Sequence, residues 1–517
     1  MPLFITYFSS TQVNLLFAGF IALIFSTYFH VKEKEILCVV FLIIAATLIF
    51  CFSASLDPFL NLWDERYHAL VGKNLMNHML TPTLYDDPVV DTDYSNWGES
   101  HIWLHKQPLF LWQIALSFKL FGISEFSLRL PSIILGVIVV LICYRCGKLL
   151  VSKRVGFIAS ILFMSNIYIT ELISGRQMSD HNDLAFLAYV SLTIWSFIEY
   201  YYSKNKFWIY LTGIFAGMAI LTKWLVGLLV YFGWLVLRLQ QRKFKFSANK
   251  DLILSVLVAL LISVPWQIFT FITYPEIAKK EFEFNAMHFS TAVEGHQGPF
   301  WYHFNIFNSI YGSIASFLII PALYFLYKKI RDKNLYFSLL SMVLIVYLFF
   351  SLAATKMPSF TTIIAVIIFI AFAALCDMII ENISKRISLK WIKNIIWVIS
   401  ILIIPCFMYN VELLQENHTT WKKNNLYTVG LIHNKNVFLS LELPENSVLF
   451  NSKGHFIEAM FYTGFPAYSI IPSKKLYIDM KKKKRTVAIF IDKNTILPDY
   501  LDQDTSVIKI EQEILFN

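Results

Sequence analysis

The chain has 517 residues, of which 57% are hydrophobic and only 15% charged, against about 45–50% and about 25% in ordinary soluble domains. That excludes disorder, a fibrous protein and a soluble multidomain enzyme, and unbroken apolar runs such as 36–56 read as membrane helices. The net charge of +9 does not point to nucleic acid, because the positive residues sit in short turns between apolar runs.

The pattern is that of a polytopic α-helical membrane protein with about twelve spans and a small C-terminal α/β soluble module. The spans fall near 11–30, 36–56, 127–147, 155–173, 183–201, 207–222, 223–238, 251–272, 304–327, 335–354, 359–380 and 394–411. The expected division is 1–411 as the transmembrane part, including an outer loop 57–126, and 412–517 as an extracytoplasmic module. The first apolar run lacks a basic leader and continues into a second, so no cleavable signal peptide is expected. The basic turns carry Lys32 and Lys34, then Arg145, Lys148, Lys153 and Arg154, then Lys204 and Lys206. Arg238 to Lys250, Lys328 to Lys333 and Lys385 to Lys393 complete the set. With twelve spans all of these turns share one side, which puts both termini outside and the basic turns in the cytoplasm. The six cysteines lie in or at the ends of apolar runs, so no disulfide framework is expected. Cys143 and Cys146 read as packing residues despite their CxxC spacing.

The loop 57–107 is acidic and rich in aromatics, and loops that long in compact folds are usually functional. It opens with Trp63-Asp64-Glu65-Arg66-Tyr67-His68. Adjacent carboxylates at a membrane surface can divide labour, one taking a proton and the other orienting a group; the structural alternative is a helix cap. His101 and His105 would share a face if helical and could bind a metal, but no convincing third ligand accompanies them. Segment 108–121 is apolar yet short, as an interfacial or re-entrant helix is.

Further along, Gly175-Arg176-Gln177-Met178-Ser179-Asp180-His181-Asn182-Asp183 places acids at the mouth of a span, where they usually face a cavity. Short spans six and seven meet at Leu221-Thr222-Lys223. Lys223 and Lys356 both sit on the side where the charge rule predicts few lysines. Phosphate binding is one reason for them, and snorkelling is the other. A second outer loop, 273–303, contains EGHQGPFWYH. In the last hundred residues, 447–450 and 487–492 are strand-like, and 455–464 is helix-like and ends in glycine. The basic run Lys481–Arg485 reads as a solvated face.

These motifs resemble the C-type membrane glycosyltransferases (GT-C), in the branch of the protein O-mannosyltransferases and the bacterial aminoarabinose transferase of lipid A. The matching stretches are WDERYHALVGKNLM (63–76), HKQPLFLWQIALSFKLFGISEFSLRLPS (105–132), GRQMSDHNDLAF (175–186), LTKW (221–224), VPW (264–266), HQGPFWYH (296–303) and SLAATKMPSF (351–360). The resemblance implies a polyprenyl-phosphate-linked sugar as donor, a lipid, glycan or protein acceptor, and a multi-pass inner-membrane enzyme with its active site on the periplasmic face. It implies Asp64 as base with Glu65 beside it, and Asp180 or Asp183 holding hydroxyls. Arg176, Lys223 and Lys356 would bind the donor phosphate, and Trp63, Tyr67, His105 and Trp301 would contact sugar or acceptor. No cofactor and no metal are required, since side chains can neutralise the leaving phosphate, although a divalent cation stays open. The rival readings are a transporter or flippase of lipid-linked sugars and a non-enzymatic scaffold. Within the enzymes the runner-up is an oligosaccharyltransferase, whose WWDYG-like acceptor motif is absent here.

Overall fold

A computed structural model describes residues 8–92, 94, 96–176, 181–242, 245, 249–409 and 426–515. Among the described residues, eight helices are long and apolar enough to cross a membrane, or nine counting one bent pair. The chain divides into two compact units: residues 1–56, 106–110 and 129–414 form the first, and 57–105, 111–128 and 415–517 the second.

In the first unit, Ser10–Val31 opens with a capping box, Ser9 and Gln12 satisfying each other's backbone N–H groups. It packs closely on Glu35–Ala54, where a Cβ on Gly19 would stand 2.9 Å from Ile49. The helices Glu125–Leu150 and Lys153–Met164 pass so near that a Cβ on Gly156 would clash with the Tyr144 carbonyl. The expected single span 155–173 is broken. Lys153–Met164 and Ile167–Ile173 meet at 62°, because the Asn166 side chain caps the second helix by accepting from the Ile169 N–H at 3.0 Å. The expected span 304–327 is also divided, into Tyr302–Asn305, Phe307–Tyr311 and Ala315–Lys329.

Spans six and seven are short, as expected. Phe207–Gln240 passes as one span on length and composition, yet the chain reverses within it. Trp224 has φ 69°, and a Cβ on Gly227 would lie 2.9 Å from Ala219 Cβ. Eight residues apart on a straight helix would mean about 12 Å. Neighbours on helix Lys250–Thr273 confirm the reversal. Gly213 faces Ser255 and Gly217 faces Ala259, a parallel pairing. Tyr231 bonds Ser255 at 2.7 Å and Arg238 pairs with Asp251, an antiparallel one.

The basic turns form one connected network. Glu35 pairs with Lys148 and Lys153, Asp377 with Arg154 and Lys329, and Glu199 with Arg145. The Arg331 N–H donates to the Leu150 carbonyl at 3.1 Å. These turns therefore lie at one end of the unit, as their common side in the sequence predicts. The apolar run 359–380 is realised as a 3-10 turn, Pro358–Ile364, continuing into helix Ala365–Lys385, and Lys390–Met408 follows.

In the second unit three strands, β1 (Ser447–Phe450), β2 (Thr486–Phe490) and β3 (Ile508–Ile510), form a parallel sheet in that order. Val448 pairs with Val487 and Ile489 with Lys509. Parallel neighbours need crossovers, supplied between β1 and β2 by helices Phe456–Thr463 and Lys474–Lys482. Gly464, at φ 81°, ends the first of these in the left-handed conformation that glycine tolerates. Helix Phe456–Thr463 packs on Asp64–Leu75: Glu458 pairs with Arg66 at 3.2 Å, and Lys73 donates to the Phe461 carbonyl at 2.6 Å. Segment 108–121 is a helix, Pro108–Phe121, with Leu116, Leu120 and Phe121 exposed as an interfacial helix requires.

Candidate active site

In the first unit the matched motifs converge. Asp183 lies in the first turn of His181–Ser203 and is buried. It pairs with Lys223, the last residue of Phe207–Lys223, and its other oxygen accepts from the Ser359 hydroxyl. The Lys223 ammonium also stands 4.7 Å over the Phe360 ring. The Asn182 amide donates to the Thr222 carbonyl at 3.0 Å. Three stretches far apart in sequence, 175–186, 221–224 and 351–360, thus build one cluster of cation, carboxylate and hydroxyl. Asp183 is sixteen residues before Glu199, about 24 Å along the helix. The cluster is therefore at the opposite end of the unit from the basic network.

Arg176 follows helix Ile167–Ile173, its backbone N–H bonded to the Glu171 carbonyl at 3.0 Å, and its side chain is buried. Asp180 lies outside the described residues. Lys356 is buried and donates to the carbonyls of Phe350, Ser351 and Ala353 at 2.9, 2.7 and 2.5 Å. It closes the C-terminus of helix Lys333–Leu352, where cations are favoured. Its backbone is tied to the second outer loop: the Thr355 N–H donates to the His288 carbonyl at 3.0 Å and the Lys356 N–H to that of His296 at 2.8 Å. His303 is buried, its ring 6.1 Å from that of Phe350. Gln267, next to VPW, donates to Gln107 of HKQP at 2.7 Å. Trp301 is exposed beside Phe300 and Phe304.

In the second unit Asp64 is buried and is the first residue of helix Asp64–Leu75. Trp63 precedes it with φ 76°, a strained value for a bulky residue, and is exposed. Glu65 accepts from the Asn61 N–H at 2.9 Å, so part of its work is to fix the turn before the helix. The Arg66 guanidinium faces Glu458 and the Gly454 carbonyl. Burial tends to raise the Glu458 pKa, but Arg66 and His455 outweigh it and hold the carboxyl below its ordinary range. Tyr67 and His105 belong to one aromatic cluster: Tyr67 lies 4.9 Å from Trp97, which stacks on His105 at 4.3 Å, with Trp103 beside them. Residues 101–105 are not helical, so His101 and His105 do not share a helix face; His101 instead contacts the Tyr85 carbonyl at 2.7 Å.

Ser359, Phe360, Asn182 and Glu458 carry contacts that the motif reading did not assign. The first three stand inside stretches already singled out, whereas nothing in the sequence marks Glu458.

Residues 105–269 match the family model described as dolichyl-phosphate-mannose-protein mannosyltransferase. An uncharacterised protein of Aquifex aeolicus is 26% identical over 66% of this chain and 63% of its own length. An undecaprenyl phosphate-alpha-4-amino-4-deoxy-L-arabinose arabinosyl transferase of Proteus mirabilis is 26% identical over 51% of this chain. The chain spans 49% of that enzyme, about half its length. In fold, the chain is similar to ArnT from Cupriavidus metallidurans bound to undecaprenyl phosphate, with a TM-score of 0.63, 14% identity and coverage of 87% of this chain and 89% of that one. It is also similar to the oligosaccharyltransferase AglB of Archaeoglobus fulgidus, with a TM-score of 0.52, 12% identity and coverage of 84% and 64%. Motifs, family model and fold agree in their likeness: the chain is a multi-pass membrane protein similar to the C-type glycosyltransferases (GT-C).

Proposed function

We propose that the protein transfers a sugar from a polyprenyl-phosphate donor to an envelope acceptor, a lipid, glycan or protein, on the periplasmic face of the inner membrane. The observation that carries this reading is the cluster of Asp183, Lys223 and Ser359, assembled from three family motifs at the end of the unit away from the basic turns. A relative in Proteus mirabilis bears the name of an undecaprenyl-phosphate aminoarabinose transferase, and the similar ArnT structure holds undecaprenyl phosphate. Both support a lipid-linked donor.

The chemistry is a displacement. The acceptor oxygen attacks the anomeric carbon and its proton passes to the Asp64 carboxylate. The bond from that carbon to the phosphate oxygen breaks, and its electron pair leaves with the polyprenyl phosphate. Negative charge grows on the phosphate, so fixed cations stabilise the transition state. Lys223 and Arg176 are assigned that role. Lys356 supports it by bracing the turn that carries Ser359, and it reaches phosphate only by exchanging a carbonyl for a phosphate oxygen. Asp183 orients Lys223 and takes hydroxyls of sugar or acceptor, and Glu65 holds the turn before Asp64. The exposed rings of Trp63 and Trp301 are assigned to sugar contact, and Tyr67 and His105 to the aromatic cluster with Trp97. Attack from the side opposite the phosphate inverts the anomeric centre.

Mass spectrometry of lipid A, envelope glycans and envelope proteins from cells with and without the gene tests the reading. A sugar-sized mass present only with the gene supports it. Identical spectra in all three fractions contradict it.

A further inference from the structure

At the basic end of the first unit the helix ends enclose a cavity of about 550 Å³, a size typical of small-molecule sites. Four cations line it, Lys153, Arg154, Lys390 and Lys393, against the carboxylates Glu33 and Glu35. Glu35 is already paired with Lys148 and Lys153, and Arg154 with Asp377 at 2.9 Å. Among the described residues Lys390 and Lys393 have no ion partner. One wall is aromatic: His30 stacks on Phe157 at 4.5 Å and on Trp397 at 4.7 Å.

Helix Lys390–Met408 has two distinct faces. Lys390, Lys393, Asn394 and Trp397, at helical spacing, line the cavity. Trp391, Ile395, Ile399 and Ile403, four residues apart, are exposed and apolar, as a lipid-facing stripe is. Trp391 and Lys390 at the helix start are an aromatic anchor and a snorkelling cation, the residue types that mark headgroup depth. The cavity therefore joins a surplus of positive charge to an exposed apolar stripe.

We propose that this cavity binds the phosphate headgroup of an anionic phospholipid, whose tails lie along the stripe of Trp391 and Ile395. The site is separate from the Asp183–Lys223 cluster, at the other end of the unit, and does not depend on the proposed transfer reaction.

The test is native mass spectrometry of the full-length protein carried from mixed phosphatidylglycerol and phosphatidylethanolamine vesicles. The expected result is selective retention of phosphatidylglycerol. The double variant Lys390→Gln, Lys393→Gln should weaken that retention about 30-fold, about fivefold for each lysine removed from a membrane surface. The control Lys204→Gln, Lys206→Gln removes equal charge at the same end but outside the cavity, and should leave retention unchanged. Equal retention of both lipids, no loss in the cavity variant, or an equal loss in the control would overturn the proposal. So would saturation of the lipid-free protein by inorganic phosphate at micromolar concentration, which would identify a soluble anion instead.

Discussion

Replacing Lys223 by Gln separates two roles that one ion pair combines. Asp183 is buried to 3% side-chain exposure, and its partners are Lys223 and the Ser359 hydroxyl. Removing one member of a buried pair costs about 3–5 kcal/mol. Here the Lys223 side chain is 27% exposed and glutamine still offers an N–H, so about 1–3 kcal/mol is expected. If Lys223 also meets the leaving phosphate, losing that cation should slow transfer by about 10²–10³-fold. Lys223→Gln alone confounds the two effects, and the double variant Asp183→Asn, Lys223→Gln resolves them. It pairs two neutral amides, so thermal unfolding in detergent should recover most of the lost stability. Transfer by the purified protein should stay at least about 100-fold down, because the cation is still missing. If the double variant recovers transfer along with stability, Lys223 serves only to neutralise Asp183, and the phosphate role is refuted.

Asp64→Asn should lower turnover at least about 100-fold, the range of general-base help, with donor affinity kept; loss of a charge at a helix start costs only about 0.3–1 kcal/mol, so near-normal transfer would leave Asp64 a structural residue. Glu458 is held below the ordinary carboxylate range in the folded state, so its contribution is complete above that range and is lost as pH falls through the folded value. Glu458→Gln should cost about 3 kcal/mol at neutral pH and flatten that acid limb, which chemical denaturation of the protein between pH 3 and 7 will read. Lys356→Ala should leave helix-terminal carbonyls unpaired and cost about 2–4 kcal/mol, seen as a lowered unfolding temperature; an unchanged temperature would show that those bonds contribute little.

Hydropathy and charge were enough to read the spans and their basic ends, because both are summed over many residues and tolerate single exceptions. The breaks were less legible. Asn166 sits in an apolar run that scores as one span, and only its cap on Ile169 reveals the bend. The reversal at Lys223–Trp224 was legible, because a charged residue between two short apolar runs marks a membrane surface, where the chain must turn back. Within the candidate site, residue type identified Asp183 and Lys223 as functional candidates but not as partners. Lys356 stood out as a lysine needing a reason. That it closes a helix with three carbonyls depends on how 353–357 turns, which periodicity does not encode. Arg66 stands two residues from Asp64, but residues i and i+2 do not face each other on a helix, and its guanidinium meets Glu458 nearly four hundred residues later. The His101 and His105 spacing invited a helix argument where the chain is irregular.

The most direct test of the account is donor turnover by the purified full-length protein in lipid vesicles, supplied with a panel of polyprenyl-phosphate sugars and an envelope acceptor fraction. The account predicts that one donor is consumed, that polyprenyl phosphate is released, and that an acceptor gains the sugar mass in equal amount with inverted anomeric configuration. Movement of a lipid-linked sugar across the vesicle membrane with no cleavage of its phosphate bond would contradict it and make the protein a transporter on a glycosyltransferase fold.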